Sequence, residues 1–325
     1  MFRHFNAETM PVVFQCRNVK MTIARMQIIS ASRRTDIPAF YADWFMGRIR
    51  EGTVSWTNPF GGRRCQASIR PEDVAAIVFW SKNYGPLVPH LDELDRRRYR
   101  AIFHFTITGL PKAFEPTVPD ASETIATARL LAARYGPDAV LWRYDPVLIS
   151  SLTGPDYHLK RFQELASALA GSTRRCYFSF PTFYAKVTRN TDRLQSETGI
   201  VCQNPPLEQR LELAFGLAAI AADYGIVLYS CCGDGLVQGP IKKARCVDAE
   251  LLARLCPDHI PSARLSGTRR ECGCYESRDI GAYDTCPHGC VYCYANSHKD
   301  TAERRWKEHN PAAESLTPML YNVTG

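Results

Sequence analysis

The sequence predicts an α/β fold on parallel strands, a partial TIM-like (β/α) barrel with a Cys-rich C-terminal segment. Three observations carry this expectation. Six short β-rich runs alternate with segments of helical spacing. Glycine stands at four of the helical stops, where only it enters the left-handed conformation without strain. Side-chain parity within the runs sets apolar residues on one strand face and polar residues on the other.

Residues 1–25 have no clean period and are expected to be a disordered extension or an over-called start, since Met21 and Met26 stand just before the first run. Strands are expected over residues 27–32, 75–81, 100–108, 139–144, 175–180 and 226–231. The first helical segment carries Tyr41, Trp44, Phe45 and Ile49 and stops at Gly52. A second opens at Asp120 with Glu123 three residues on, a capping-box spacing, and stops at Gly136. A third runs from about Pro155 to Gly171, and the longest from Pro205-Pro206 to Tyr224-Gly225. Asn58-Pro59-Phe60-Gly61-Gly62 marks the tip of an added hairpin.

Parity separates a barrel from an open sheet covered on both faces. In the third run Phe103, Phe105 and Ile107 oppose His104, Thr106 and Thr108; in the fourth, Trp142 and Tyr144 oppose Leu141, Arg143 and Asp145. A doubly covered sheet is apolar on both faces, whereas a barrel places polar residues toward its open lumen. The expected division is an extension over 1–25, a barrel core over 26–230, a Cys-rich segment over 231–309 that completes the barrel, and a tail over 310–325.

The chain has 325 residues, 45% of them hydrophobic and 11% aromatic, so it can bury a full core and is not a disordered chain. No apolar run approaches the roughly 18–20 residues that span a bilayer. The N-terminus lacks a signal-peptide pattern, so a cytoplasmic protein without membrane association is expected. The net charge of +7 is spread over arginine doublets and triplets, which read as solvated loops and leave a nucleic-acid partner open.

Cysteine usage is lopsided. Of 13 cysteines, nine fall between Cys231 and Cys293, and in a reducing compartment such density reads as metal or redox chemistry rather than disulfides. The segment Cys286-Pro-His-Gly-Cys290-Val-Tyr-Cys293 is spaced C-x3-C-x2-C, with the aromatic Tyr292 directly before the last thiol. Three thiolates so close together suit three corners of a [4Fe–4S] cluster with one iron left open; zinc or a coincidental spacing is the alternative. A second group, Cys231, Cys246, Cys272 and Cys274, with Cys232 and Cys256 nearby, suits a second Fe–S cluster or zinc, or consists of free thiols. Cys231 and Cys232 are strand neighbours that point oppositely, so at most one is expected to join it without a local twist.

In βα barrels the site forms where strands end. Those positions hold Arg33, Arg34 and Asp36, then Lys82 and Asn83, then Arg143 and Asp145. Cations beside carboxylates and amides suit an anionic or zwitterionic small molecule, or else tie loops to the barrel rim as ion pairs. His104 reads as a satisfied interior histidine.

The stretches SASRRTDIPAFYADWF, IVFWSKN, WRYDP, ECGCYESRDIGAYDTCPHGCVYCYAN and KARCVD resemble domain-of-unknown-function family 1848, from about Met26 to His309. The cysteine loop with its aromatic resembles the cluster signature of radical S-adenosylmethionine (SAM) enzymes. That resemblance implies a [4Fe–4S] cluster on Cys286, Cys290 and Cys293, SAM as cofactor with Tyr292 beside it, and a reductant such as a flavodoxin or ferredoxin. In those enzymes the loop follows the first strand; here it comes last, which implies a circularly permuted core with residues 279–284 as the strand before the loop. Two functions compete: a radical SAM-like enzyme of unknown substrate, and a zinc- or Fe–S-stabilised binding protein for an anionic ligand or nucleic acid.

Overall fold

The computed structural model describes residues 26–259, 261 and 264–317. In chain order the elements are β1 (Gln27–Ala31), α1 (Ile37–Phe40), α2 (Ala42–Glu51), β2 (Thr53–Thr57), β3 (Arg64–Ser68), β4 (Val74–Ser81), α3 (Leu91–Arg96), β5 (Ala101–Thr106), α4 (Ala121–Tyr135) and β6 (Val140–Tyr144). There follow α5 (Pro155–Leu169), β7 (Arg175–Phe178), α6 (Ala185–Thr198), α7 (Leu207–Asp223), β8 (Val227–Ser230), β9 (Lys242–Lys243), α8 (Ala249–Leu255), β10 (Arg278–Asp279) and α9 (Lys299–Lys307).

Eight strands form one sheet in the order β10-β1-β4-β5-β6-β7-β8-β9, and every pairing in it is parallel. Neighbours follow the chain order, as helical crossovers between parallel strands dictate. The exception is β10, the last strand, which lies beside the first. β9 and β10 are the two edges. β2 and β3 form the separate antiparallel hairpin expected at the Asn58–Gly62 tip.

One face of the sheet buries Ile29, Phe79, Phe103, Trp142 and Phe178 against helices, with Phe45 of α2, Leu131 of α4, Phe162 of α5 and Leu217 of α7 in the same cluster. Parity sends Ile28, Val78, Ile102, Leu141 and Tyr177 to the other face, where Cys246, Val247, Leu251 and Leu252 cover them. The expected polar lumen is therefore confined to the carboxyl ends of the strands. Deeper down the second face is apolar, because the Cys-rich segment folds back over it and removes it from water.

Local signals were realised unevenly. Gly52 ends α2 with φ 74°, and its amide donates to the Arg48 carbonyl. Asp120 stands at the N-cap of α4, but its side chain makes no capping bond and pairs with Lys112 at 3.0 Å instead. Of the strand expected over 279–284 only Asp279 lies in β10, and the Gly281 amide then bonds back to Asp279 Oδ1 at 3.1 Å as the chain leaves the sheet. Residues 1–25 of the expected extension lie outside the described residues. The first part of the expected tail packs: Trp44 Nε1 donates to the Ala313 carbonyl at 2.8 Å, and Leu316 is buried.

Candidate functional site

Because the strands are parallel, their carboxyl ends share one rim, and the loops after β1, β4, β6 and β8 meet there. Asp36 organises one side. Its Oδ1 accepts from the Ala39 amide at 3.0 Å and from Ser81 Oγ at 2.6 Å. Its Oδ2 accepts from the Lys82 amide at 2.8 Å and from His288 Nε2 at 2.9 Å. A single buried carboxylate thus ties the start of α1 and the end of β4 to the cysteine loop.

Within that loop Cys286, Cys290 and Cys293 lie close enough to influence one another's charge. Burial pushes the Cys290 thiol up to about 12, against the pull of the Lys82 ammonium. Lys82 Nζ donates to Glu115 Oε1 at 2.7 Å and stands 5.6 Å from the centroid of the Tyr292 ring. Glu115 also accepts from Thr108 Oγ1 at 2.9 Å and from the Tyr292 hydroxyl, and Tyr292 in turn contacts Cys290. Burial opposes the charge on Lys82, yet Glu115 beside it holds the ammonium above its ordinary value. Lys186 faces Cys293. His288 Nδ1 and Asn296 Oδ1 are buried without protein partners.

The other side is built on guanidiniums. Trp80 of β4 meets Arg33 at 5.2 Å and Arg143 at 5.3 Å from its ring centroid. It stacks on His104 at 4.2 Å and donates from Nε1 to Ser30 Oγ at 3.0 Å. Arg143 pairs with Asp145, which accepts from Ser179 Oγ at 2.5 Å. Arg34 bonds Asp279 at 3.1 Å. Asp279 also accepts from Ser30, Ser32 and the Arg33 amide, which fastens β10 to the end of β1. Arg33 Nη2 is buried with no partner.

Beyond Arg143 lies a ring of five thiols. Cys231 Sγ is 3.4 Å from Cys246 Sγ. Cys246 and Cys274, Cys274 and Cys272, Cys272 and Cys232, and Cys232 and Cys231 in turn shift one another's pKa. Arg143 Nη1 donates to Cys246 Sγ at 3.2 Å, and Arg269 bonds Cys232. The bond with Cys231 lowers the Cys246 pKa, but the bond with Cys274 and burial together push it up to about 11. Cys231 and Cys232 lie past the end of β8 rather than within a strand, and Cys232, with φ +54°, departs from the strand geometry that would point the two side chains apart. The sulfurs are linked neighbour to neighbour. Among the described residues no three His, Cys, Asp or Glu side chains are already disposed around one metal ion.

The expected site residues form two adjoining groups: Asp145, which pairs with Arg143, also acts on Lys82, and Tyr294 stands near both Cys293 and Arg33. Lys82, with Asp36 behind it, stands with Cys286, Cys290, Cys293 and Tyr292. Arg33 and Arg143 face Cys246, with Arg33 also close to Cys274. Asp36 is saturated by four protein donors, Arg34 is tied to Asp279, and Asp145 is held by Arg143 and Ser179. Asn83 shapes its own turn, accepting from the Gly85 amide at 2.9 Å. His104 is interior: its Nε2 donates to the Cys246 carbonyl at 2.6 Å, and burial first, then Arg143, pushes its pKa far down, so it is neutral. A cavity of about 200 Å³ adjoins Glu115, lined also by Thr108, Lys112 and Arg161. It is smaller than pockets that enclose a nucleoside-sized ligand and contains no thiol.

Sequence reasoning missed Glu115, Asp279 as a carboxylate hub, His288 and Cys232. Glu115 sits in a proline-punctuated loop with no period to flag it. His288 was visible inside the Cys286–Cys290 spacing but had no partner in the sequence.

A family model described as a domain of unknown function, DUF1848, matches residues 28–295. No curated protein matches the chain.

Proposed function

The chain belongs to that family of unknown function, and from this premise we propose an iron–sulfur enzyme of the radical SAM kind, with Cys286, Cys290 and Cys293 as the cluster ligands. The observation that supports it is the gathering of these three thiols beside Lys82 and Tyr292 at the carboxyl rim of a parallel sheet. The residues fit such a group. A cube spreads its thiolates over separate irons, and three thiols gathered in one short loop near enough to affect one another's charge suit it.

When bound, a cluster held by three thiolates offers an open iron and supplies the one-electron reduction of SAM. The chain's own residues do the rest. Asp36 and His288 hold the loop against the sheet. Lys82 keeps positive charge beside Cys290, which favours its thiolate, and Glu115 fixes Lys82 and Tyr292 in place. The free Nη2 of Arg33 is a donor for the carboxylate or phosphate of an anionic substrate. Trp80 screens that donor from water. The reductant is a small electron carrier of the flavodoxin or ferredoxin type.

The strand order supports reading the sheet as a partial barrel of the (β/α) kind, unrolled between β9 and β10 and permuted relative to radical SAM cores. On that reading residues 26–230 form the barrel core and 231–309 carry the cysteine chemistry.

The test is anaerobic purification with iron and sulfide analysis, followed by 5′-deoxyadenosine release under a strong reductant. The expected result is about four irons per chain at this loop, with release abolished by Cys290→Ala. Protein that takes only zinc after anaerobic reconstitution would move the function to a zinc-stabilised binding protein.

A further inference from the structure

The ring of five thiols has no part in that chemistry, and its geometry differs from the loop's. Two of its sulfurs touch, Cys231 and Cys246 at 3.4 Å, and the other three thiols lie near enough to their neighbours to shift one another's charge. Tetrahedral bonds of about 2.3 Å to zinc put thiolate sulfurs about 3.8 Å apart. A cube, by contrast, holds each thiolate on a different iron and keeps the sulfurs out of contact. The contact between Cys231 and Cys246 is one that a shared ion allows and a cube does not.

Five thiols exceed the four positions of such an ion, and burial divides them. Cys231, Cys246 and Cys274 are buried, whereas Cys232 and Cys272 are half-buried at the mouth of the ring. Polar groups already address the sulfurs. The Val247 amide donates to Cys274 Sγ at 3.5 Å and Thr268 Oγ1 to Cys272 Sγ at 3.8 Å. Four thiolates around a divalent ion leave two negative charges. Arg143 and Arg269 bond ring sulfurs, and Arg33 faces Cys274 and Cys246, so cations stand where that charge would lie. Cys232 is held at φ +54°, a conformation that costs a non-glycine residue energy and here turns a second thiol of one dipeptide inward.

We propose that Cys231, Cys246 and Cys274 are constant ligands of a single zinc-like, thiophilic divalent ion, and that Cys232 and Cys272 compete for its fourth position. Loading draws four sulfurs in by side-chain rotation, since no three of the described side chains surround one point beforehand. The assignment does not depend on what the Cys286–Cys293 loop binds.

The test uses full-length protein carrying Cys290→Ala and Cys293→Ala, so that the fate of the loop cannot affect the outcome. Zinc per chain is measured, and cobalt(II) is exchanged in to read the intense sulfur-to-metal absorption of tetrahedral thiolate coordination. Cys232→Gly and Cys272→Ala are each expected to retain about one metal per chain, with a shifted cobalt spectrum. The pair together, or Cys246→Ala alone, is expected to lower metal content at least about tenfold. Because Cys246→Ala removes a buried group and risks misfolding, the half-buried pair decides the question, with circular dichroism confirming the fold. Loss of metal in either mouth variant alone would overturn the shared fourth position. Iron with acid-labile sulfide at the ring, or a metal-free wild type with Cys231 and Cys246 joined as a disulfide, would overturn the single-ion site.

Discussion

His288 Nε2 lies 2.9 Å from Asp36 Oδ2, a buried bond between residues 252 apart in sequence that joins the first strand-end loop to the cysteine loop. The same carboxylate receives the Ala39 and Lys82 amides and the Ser81 hydroxyl. Four donors on one buried acceptor leave it no capacity for a substrate, so Asp36 acts by position. Asp36→Ala strands several of those donors and is expected to cost about 3 kcal/mol. The variant should also hold less iron after anaerobic reconstitution. Urea unfolding and iron analysis check both, and a variant with wild-type stability and iron would show that the loop is anchored elsewhere.

Lys82 and Glu115 form a buried pair whose members depend on each other. With the Glu115 side chain 4% exposed, Lys82→Met leaves an uncompensated carboxylate and is expected to destabilise by about 3–5 kcal/mol. Glu115→Gln leaves an uncompensated ammonium and is expected to cost a similar amount. The double variant should recover much of the loss, because it removes both charges. A double-mutant cycle by chemical denaturation measures the coupling, and additive losses would contradict it.

His158 gives the fold an acid limb. It accepts at Nδ1 from the Tyr144 hydroxyl at 2.8 Å and donates from Nε2 to the Leu148 carbonyl at 2.9 Å, which fixes a neutral ring. Burial lowers its pKa to about 4, whereas the unfolded value is about 6.5. Between these values the unfolded chain binds the extra proton. The contribution is therefore complete above about pH 6.5 and disappears as the pH falls toward 4, about 3 kcal/mol in all. His158→Gln should flatten the fall in stability between pH 7 and pH 4. An unchanged slope would assign the acid limb to other groups.

Much of this was legible from local chemistry. The six main strands read correctly to within two or three residues, because alternating parity and glycine stops depend on near neighbours. What failed depends on distant partners. α6 is mostly polar, with Val187, Thr191 and Leu194 its buried positions, so its period is faint. β9 and β10 have two residues each and are strands only because β8 and β1 lie beside them. Polar residues were expected toward the lumen near the strand ends and stand there, but the cover of the rest of that face by residues around Cys246 had no local signal. Of the site, the residue types and the rim were readable. The pairing of Lys82 with Glu115, and the inward turn of Cys232, come from tertiary contacts that carry no local signature.

The C-terminal residues were expected to trail as a tail, yet the described part of them stabilises the fold. Ser55 donates its amide to the Glu314 carbonyl at 3.1 Å, and Arg64 pairs with the Glu314 carboxylate at 2.5 Å. Trp44, in the first turn of α2, spends its indole N–H on the Ala313 carbonyl. Leu316 is 5% exposed and belongs to the main core cluster. The exposed Arg64 pair contributes little. Burial of Leu316 is worth about 2 kcal/mol, and the bonds to Trp44 and Ser55 about 1 kcal/mol each. Truncation after His309 is therefore expected to lower stability by roughly 3–4 kcal/mol. Leu316→Asp in the full-length chain should reproduce about half of that, because it spares the backbone bonds but places a charge in the core. Thermal melts of the two variants separate the packing of Leu316 from the hydrogen bonds of residues 310–314. A truncated protein that melts with the full-length chain would return this segment to the status of a tail.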